Sequence, residues 1–167
     1  MNYTLSPISS DDRKSIIDIL NYYVENGFAA YPEKPLPYEF FDFMMKAAEG
    51  YPTVAAKNES GETVAFGVLR PYHPFSTFAA TAEISYFIMH EHTGRGLGGR
   101  MLGYLEEGAQ RKGIVNILAS VSSLNEGSIR FHRTHGFEEC GRFKGVVKKK
   151  NTLLDTVWLQ KKLQPSA

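Results

Sequence analysis

Hydrophobic positions along the chain recur with two periods. Leu97, Met101, Leu105 and Ala109 return at every fourth residue, while Arg100, Glu107, Arg111 and Lys112 fall outside that stripe. This is the pattern of a helix with one face in a core, predicted over residues 97–112 and stopped by Gly113. Ile16, Ile17, Leu20 and Val24 trace a second helical face. Ser10 is its expected cap, Asp11 and Asp12 lie in its first turn, and Asn26-Gly27 ends it. Three prolines make residues 31–37 a loop. A third helix follows, aromatic-rich, with Phe40, Phe41, Met44 and Ala47 on one side. Strands are predicted at 3–8, 53–57, 64–70, 82–89, 116–121, 139–147 and 153–160. Glu59-Ser60-Gly61 signals a hairpin, and residues 71–81 read as a loop. Asn125 opens a short helix closed by His135-Gly136. This mixed order indicates an α/β or α+β fold with a largely antiparallel sheet flanked by helices.

At 167 residues the chain is expected to be a single domain, residues 1–167, with a real core. Its 19 Lys and Arg against 18 Asp and Glu leave no bulk charge to attract nucleic acid or an anionic membrane. No stretch approaches the ~20 apolar residues of a membrane span, and the start lacks a secretory pattern. Cys140 is the only cysteine. A reduced, cytoplasmic setting follows as the simplest expectation.

The chemistry begins at Thr93-Gly94-Arg95-Gly96-Leu97-Gly98, followed by Gly99. A glycine-rich turn between strand and helix places bare N–H groups at a helix N-terminus, which suits a phosphate. A dinucleotide fits poorly. Gly94-x-Gly96-x-x-Gly99 has the spacing, but the next strand ends Ala119-Ser120-Val121-Ser122-Ser123, without the acid that would hold a ribose. A P-loop also fits poorly, because Arg100-Met101 stands where Lys-Ser/Thr is required.

The third candidate is coenzyme A, and here residues 86–137 resemble the GNAT N-acetyltransferase superfamily. The resemblance rests on Tyr86-Phe87-Ile88-Met89, on the glycine loop, and on Asn125-x-x-Ser128-x-x-x-His132-x-x-x-Gly136-Phe137. Ser128-Ile129-Arg130-Phe131-His132 and the tail Asp155-Thr156-Val157-Trp158 are similar to the phosphinothricin and L-amino-acid N-acetyltransferase branch. Thr93 departs from the usual Gln or Arg at its position.

The resemblance implies acetyl-CoA as acyl donor and the primary amine of a small molecule as acceptor, an amino acid or analogue first. It implies coenzyme contacts from Tyr86, Phe87, Ile88, Thr93, Gly94, Arg95, Gly96, Leu97, Gly98, Gly99, Asn125 and Thr134. Asn125 also caps its helix on sequence grounds alone. Acyl transfer needs an amine that has lost its proton, a donor for the oxyanion and a proton for the leaving thiolate. Glu83 is the expected base, provided it is partly desolvated; the bland reading is a salt bridge at a strand edge. His132 is the expected proton donor to the thiolate; otherwise it is a helix histidine that packs or hydrogen-bonds.

Phe28, Tyr31, Arg70 and Phe75 are expected to shape the acceptor pocket; Tyr38, Phe40, Phe41 and Phe43 are expected to pack their helix, and the resemblance implies that this region also helps wall the pocket. The branch often carries a basic residue in the loop that here reads Pro74-Phe75-Ser76-Thr77-Phe78, so Arg70 is the substitute cation. His90-Glu91-His92 reads as solvated loop, and no metal is expected. Lys148-Lys149-Lys150 reads as a polar hairpin tip, with a grip on nucleic acid or the coenzyme's 3′-phosphate as the alternative. The resemblance also implies a homodimer through the C-terminal strands. Two other functions stay open: a protein or peptide N-acetyltransferase, and an acyl-CoA-binding domain without turnover.

Overall fold

The computed structural model describes residues 2–164. Met1 and residues 165–167, the ends of the expected domain, lie outside the described residues. Seven strands form one sheet: β1 (Thr4–Ser6), β2 (Thr53–Lys57), β3 (Thr63–Pro71), β4 (Thr81–Ile88), β5 (Asn116–Ser122), β6 (Glu138–Lys149) and β7 (Thr152–Lys162). Their order is β1-β2-β3-β4-β5-β7-β6. Every neighbouring pair is antiparallel except β4 and β5. The helices are α1 (Arg13–Glu25), α2 (Phe40–Ala47), α3 (Leu97–Arg111) and α4 (Glu126–Thr134).

Side chains alternate across the sheet, so each face carries its own core. On one face Val54, Leu69, Ile84, Ile117 and Leu159 pack with Leu97, Met101 and Leu105 of α3. On the other, Phe66 packs with Ile16, Ile17, Leu20 and Val24 of α1 and Phe41 of α2. Both helical stripes read from the sequence therefore face cores.

Ser10, the expected cap, lies inside a 3-10 turn (Ser10–Asp12) that runs into α1, whose own N-cap is Asp12. Ser9, not Ser10, opens that turn, and its N–H donates to Asp12 Oδ2 (2.8 Å). Asp12 is buried, accepts from Thr63 Oγ1 (2.7 Å) and pairs with Lys57 Nζ (3.2 Å). Burial alone would raise its pKa, but Thr63, Ser9 and Lys57 together hold it below the usual carboxylate range. An acid expected only to face a helix dipole thus fastens α1 to β2 and β3.

The single parallel pair matters most for function. β4 and β5 are bonded only from Thr81 to Glu83 against Asn116 to Leu118. Beyond that point β5 stays on β7 as far as Ser122, and β4 stays on β3 as far as Ile88. The two strands diverge and leave a wedge in the middle of the sheet.

Candidate active site

A small cavity of about 80 Å³ occupies the wedge. Ser85 and Phe87 line it from β4, Ser120 from β5, and Asn125, Ser128 and His132 from α4. Asn125 Oδ1 accepts from the Ser128 N–H (3.2 Å), the capping bond the sequence predicts.

His132 is buried, with Nδ1 at 2.7 Å from the Ser128 carbonyl and Nε2 at 2.6 Å from the Tyr86 hydroxyl. A carbonyl only accepts, so Nδ1 carries the proton and Nε2 accepts from Tyr86. Burial pushes the imidazole pKa down, and nearby His135 adds to this; the Ser128 bond opposes it. Burial likewise pushes the Tyr86 phenol up. His132 is thus a neutral ring with both nitrogens engaged, and it lines the wedge.

At the far end of β4 a 3-10 turn, His90–His92, precedes the glycine loop. Thr93 spends its hydroxyl on the His90 carbonyl (2.7 Å). Gly94 and Gly96 have φ of +70° and +76°, and Gly96 caps α3 in the left-handed region. A Cβ on either would meet nothing within 4 Å. Behind them the helix is crowded: a Cβ at Gly98 would lie 3.1 Å from Phe131, and one at Gly99 2.9 Å from His135 Nε2. The loop is open in front and packed on α4 behind. Among the described residues, the amides of Gly94, Gly96, Leu97, Gly98 and Gly99 have no protein acceptor.

The other end of the wedge opens into a cavity of about 430 Å³, which shares Ala29, Ser85, Phe87 and Ser120 with it. Leu36, Phe40, Phe43 and Met44 form its apolar wall, Tyr31 its rim, and Arg70, Glu83 and Ser85 its polar floor. Arg70 and Glu83 are direct cross-strand partners. The guanidinium donates to Glu83 Oε1 (2.7 Å) and to Ser85 Oγ (2.9 Å). Glu83 makes the salt bridge of the bland reading, but inside the sheet and on a cavity floor, not at a strand edge.

Some expected residues stand elsewhere. Phe28 is half-buried and lines neither the wedge nor this cavity. Phe75 is 68% exposed and leans on His73 (5.0 Å), because its loop folds outward with Tyr72 edge-on to Trp158 (6.2 Å). Their places on the cavity wall are taken by Phe40 and Phe43. Helix α2 thereby serves two sides: Phe41 enters the core and Phe40 faces the cavity. Thr134 gives its hydroxyl to the Phe131 carbonyl (2.8 Å) and lies outside both cavities. His92 Nδ1 bonds the Tyr3 hydroxyl (2.8 Å), and among the described residues no group of three or more His, Cys, Asp or Glu is placed to hold a metal.

The hairpin tip corrects one reading outright. Lys150 and Asn151 turn the chain with positive φ, as a tip should. Lys149, however, is fully buried, with Nζ donating to the carbonyls of Val24 (2.8 Å) and Ala30 (2.6 Å). Nothing in local sequence separates it from its two lysine neighbours.

An open phosphate-type loop, a slot between diverging strands and a carboxylate at the slot's end define an acyltransferase built for a long acyl carrier. The chain matches the model of the Acetyltransferase (GNAT) family over residues 16–137 and belongs to that family. It is 32% identical over 159 residues to the L-methionine sulfoximine/L-methionine sulfone acetyltransferase of Pseudomonas aeruginosa, covering 93% of this chain and 91% of that one. Among solved structures it is similar to a phosphinothricin acetyltransferase from Sinorhizobium meliloti in complex with AcCoA (TM-score 0.91, 27% identity, 99% and 94% covered). It is also similar to a ribosomal-protein-alanine N-acetyltransferase from Brucella melitensis (TM-score 0.89, 30% identity, 96% and 99% covered).

Proposed function

We propose that this chain, acting as one domain, transfers the acetyl group of acetyl-CoA to the primary amine of a small molecule, with amino acids and their analogues first. The observation that carries this reading is the divergence of β4 from β5, which opens directly onto Glu83. Acetyl-CoA supplies an activated acyl group on a thiol leaving group. The chain's own parts fit it: the amides of Gly94, Gly96, Leu97, Gly98 and Gly99 suit a diphosphate, and the main-chain groups of Tyr86, which point away from β3, suit an amide-bearing arm; Phe87 is paired with Phe66 in the β3 ladder, and the Ile88 carbonyl accepts from the Tyr23 hydroxyl (2.6 Å). Asn125 stands at the slot's edge, with its Oδ1 already committed to the cap.

In this reading Glu83 takes the proton that the entering ammonium must lose, directly or through water. A β4 N–H serves as oxyanion donor. Arg70 orients Glu83 and keeps spare N–H groups, since bonds to Glu83 and Ser85 use two of its five donors. Those spare donors can receive the carboxylate of an amino-acid acceptor, replacing the basic loop residue this chain lacks. Tyr86 and His132 form the wall behind the slot.

The name of the Brucella melitensis neighbour keeps a protein acceptor as the second reading. The walled cavity under α2 favours a compact molecule. Among the described residues no helix is long and apolar enough to cross a membrane; a cytoplasmic setting is proposed on the lone cysteine, Cys140. Phe143 and Val146 on edge strand β6 and Leu153 on β7 are exposed, which supports a homodimer through those strands.

Thiol release from acetyl-CoA, followed with L-methionine sulfoximine, phosphinothricin, the common amino acids, polyamines and N-terminal peptides, tests the proposal. Turnover confined to small amines is the expected result. Turnover with peptides alone assigns the second reading. Calorimetric binding of acetyl-CoA with no thiol release from any amine makes the chain a binding domain and overturns the proposal.

A further inference from the structure

The β6–β7 hairpin tip carries three successive lysines, yet they are not alike. Lys148 and Lys150 are exposed, while Lys149 has 0% exposure. Its bonded partners are two carbonyls, Val24 and Ala30, and no carboxylate. An ammonium buried among neutral acceptors is costly, and an apolar side chain would fill the same space without that cost. The arrangement therefore calls for a reason beyond stability.

The two carbonyls supply one. Val24 lies in the last turn of α1, where carbonyls lack helical partners and the dipole favours a cation. Ala30 lies six residues on, in the connection 26–39 that leads to α2. Ala29, Ala30, Tyr31 and Pro32 of that connection line the 430 Å³ cavity. One ammonium thus closes the start of the connection into a loop and fixes the stretch of the cavity lining that this connection supplies. Lys150 adds an outer latch, with its N–H to Glu33 Oε1 (2.9 Å) and its Nζ to the Glu25 carbonyl.

We propose that Lys149 is a positioning residue for the acceptor: it ties the end of α1 to Ala30 and so holds the outer wall of the amine cavity. The proposal rests on the reading of that cavity as the acceptor site. It assigns Lys149 no contact with the coenzyme: Lys149 lines neither the wedge nor the cavity, and of the tethered connection Ala29 alone borders the wedge as well.

The test compares Lys149→Met, Lys149→Arg and the exposed control Lys148→Met. Two amides report on the connection without any substrate: Asn26, bonded to the Tyr22 carbonyl, and Leu36, bonded to Asn21 Oδ1. In Lys149→Met their hydrogen exchange is expected to quicken by about tenfold or more, with α3 unchanged. The KM for L-methionine sulfoximine is expected to rise by about tenfold, with kcat within about threefold and the acetyl-CoA Kd within about twofold. Lys149→Arg, which keeps donors for both carbonyls, is expected to recover most of both effects, and Lys148→Met to show neither. Unchanged exchange at Asn26 and Leu36 overturns the proposal. So does an unchanged KM, or a parallel loss of coenzyme affinity. Failure of both Lys149 variants to fold would assign the residue to stability alone and also overturn it. If the wild-type chain acetylates no amine, the functional reading fails separately, and the exchange measurement still decides the tether.

Discussion

Replacing Glu83 by Gln separates the two roles its carboxylate can have. As a structural partner it is modest. The side chains of Arg70 and Glu83 are 34% and 17% exposed, and an ion pair that reaches solvent is worth about 1 kcal/mol or less. Gln keeps an oxygen to accept from Arg70, and Arg70 keeps Ser85. The variant should melt within about 2–4 °C of wild type. As a base the carboxylate is worth far more. The acceptor arrives as an ammonium of pKa ~8–10 and must shed a proton before attack. A positioned base contributes about 10²–10⁴ in rate, or about 3–5 kcal/mol of barrier. Thiol-release kinetics from pH 6 to 9, beside thermal melts, read both quantities on the same protein. The expected result is a kcat loss of at least about a hundredfold with the fold intact. A kcat/KM within about threefold of wild type at every pH would remove Glu83 from the mechanism. A loss of activity that follows a collapsed melting temperature would make it a structural residue.

Three further outcomes follow from the wedge and the glycine loop. Tyr86→Phe leaves His132 Nε2 buried without its donor, at a cost of about 1–3 kcal/mol, read as a fall in urea midpoint with unchanged slope. His132 gives a pH dependence: its folded pKa lies below the unfolded value near 6.5, so its neutral form is fully stabilising above that pH. Stability should fall as pH drops from about 6.5 toward the depressed folded value, by up to about 1.4 kcal/mol per pH unit, in urea melts at successive pH values. A flat profile between pH 6.5 and 5 would contradict the buried neutral ring. Gly96→Ala meets no steric obstacle, so its effect is the left-handed backbone penalty of about 1–2 kcal/mol. Calorimetry should show acetyl-CoA affinity reduced about 5–30-fold; equal affinity and equal stability would mean the loop conformation is not what binds the coenzyme.

Local signals carried far in this sequence because they are local. The fourfold repeat from Leu97 to Ala109 needs only a helix with one buried face, and the Asn125 cap needs only its own first turn. What stayed hidden depends on register and on distant packing. Arg70 and Glu83 are 13 residues apart, and only the β3–β4 pairing makes them opposite neighbours. Lys149 finds its carbonyls 125 and 119 residues away, so no window along the chain distinguishes it from Lys148. Phe28 and Phe75 were reasonable wall residues by composition, but Phe75 sits on a loop that turns outward. The wall is built by α2, whose aromatics the sequence pattern assigns to packing and only the family resemblance assigns to the acceptor pocket. The neutral state of His132 comes from burial by the folded chain, and its Nε2 partner Tyr86 lies on a strand 46 positions earlier.

The placement of the chemistry follows from a single topological fact. β4 and β5 are parallel, so the chain must cross over between them, and α3 is that crossover. A helix that leaves the carboxyl end of β4 necessarily presents its N-terminus at that end, beside the mouth of the wedge. Glu83 lies near the opposite end, where the two strands still pair. From Glu83 to Ile88 β4 runs five residues, which at about 3.3 Å each is roughly 16 Å. An anion held at the glycine loop and a reacting carbon held at Glu83 are therefore separated by more than any short phosphorylated metabolite can span. A ligand that fills the slot needs an extended arm, and one with amide groups can satisfy main-chain donors and acceptors that β4 would otherwise leave unpaired. Tyr86 and Ile88 face α3 and α4 while Glu83, Ser85 and Phe87 face the acceptor cavity. In the proposed reading one strand thus partitions the site: its main chain for the carrier arm, one face for the wall behind it, and the other for the amine.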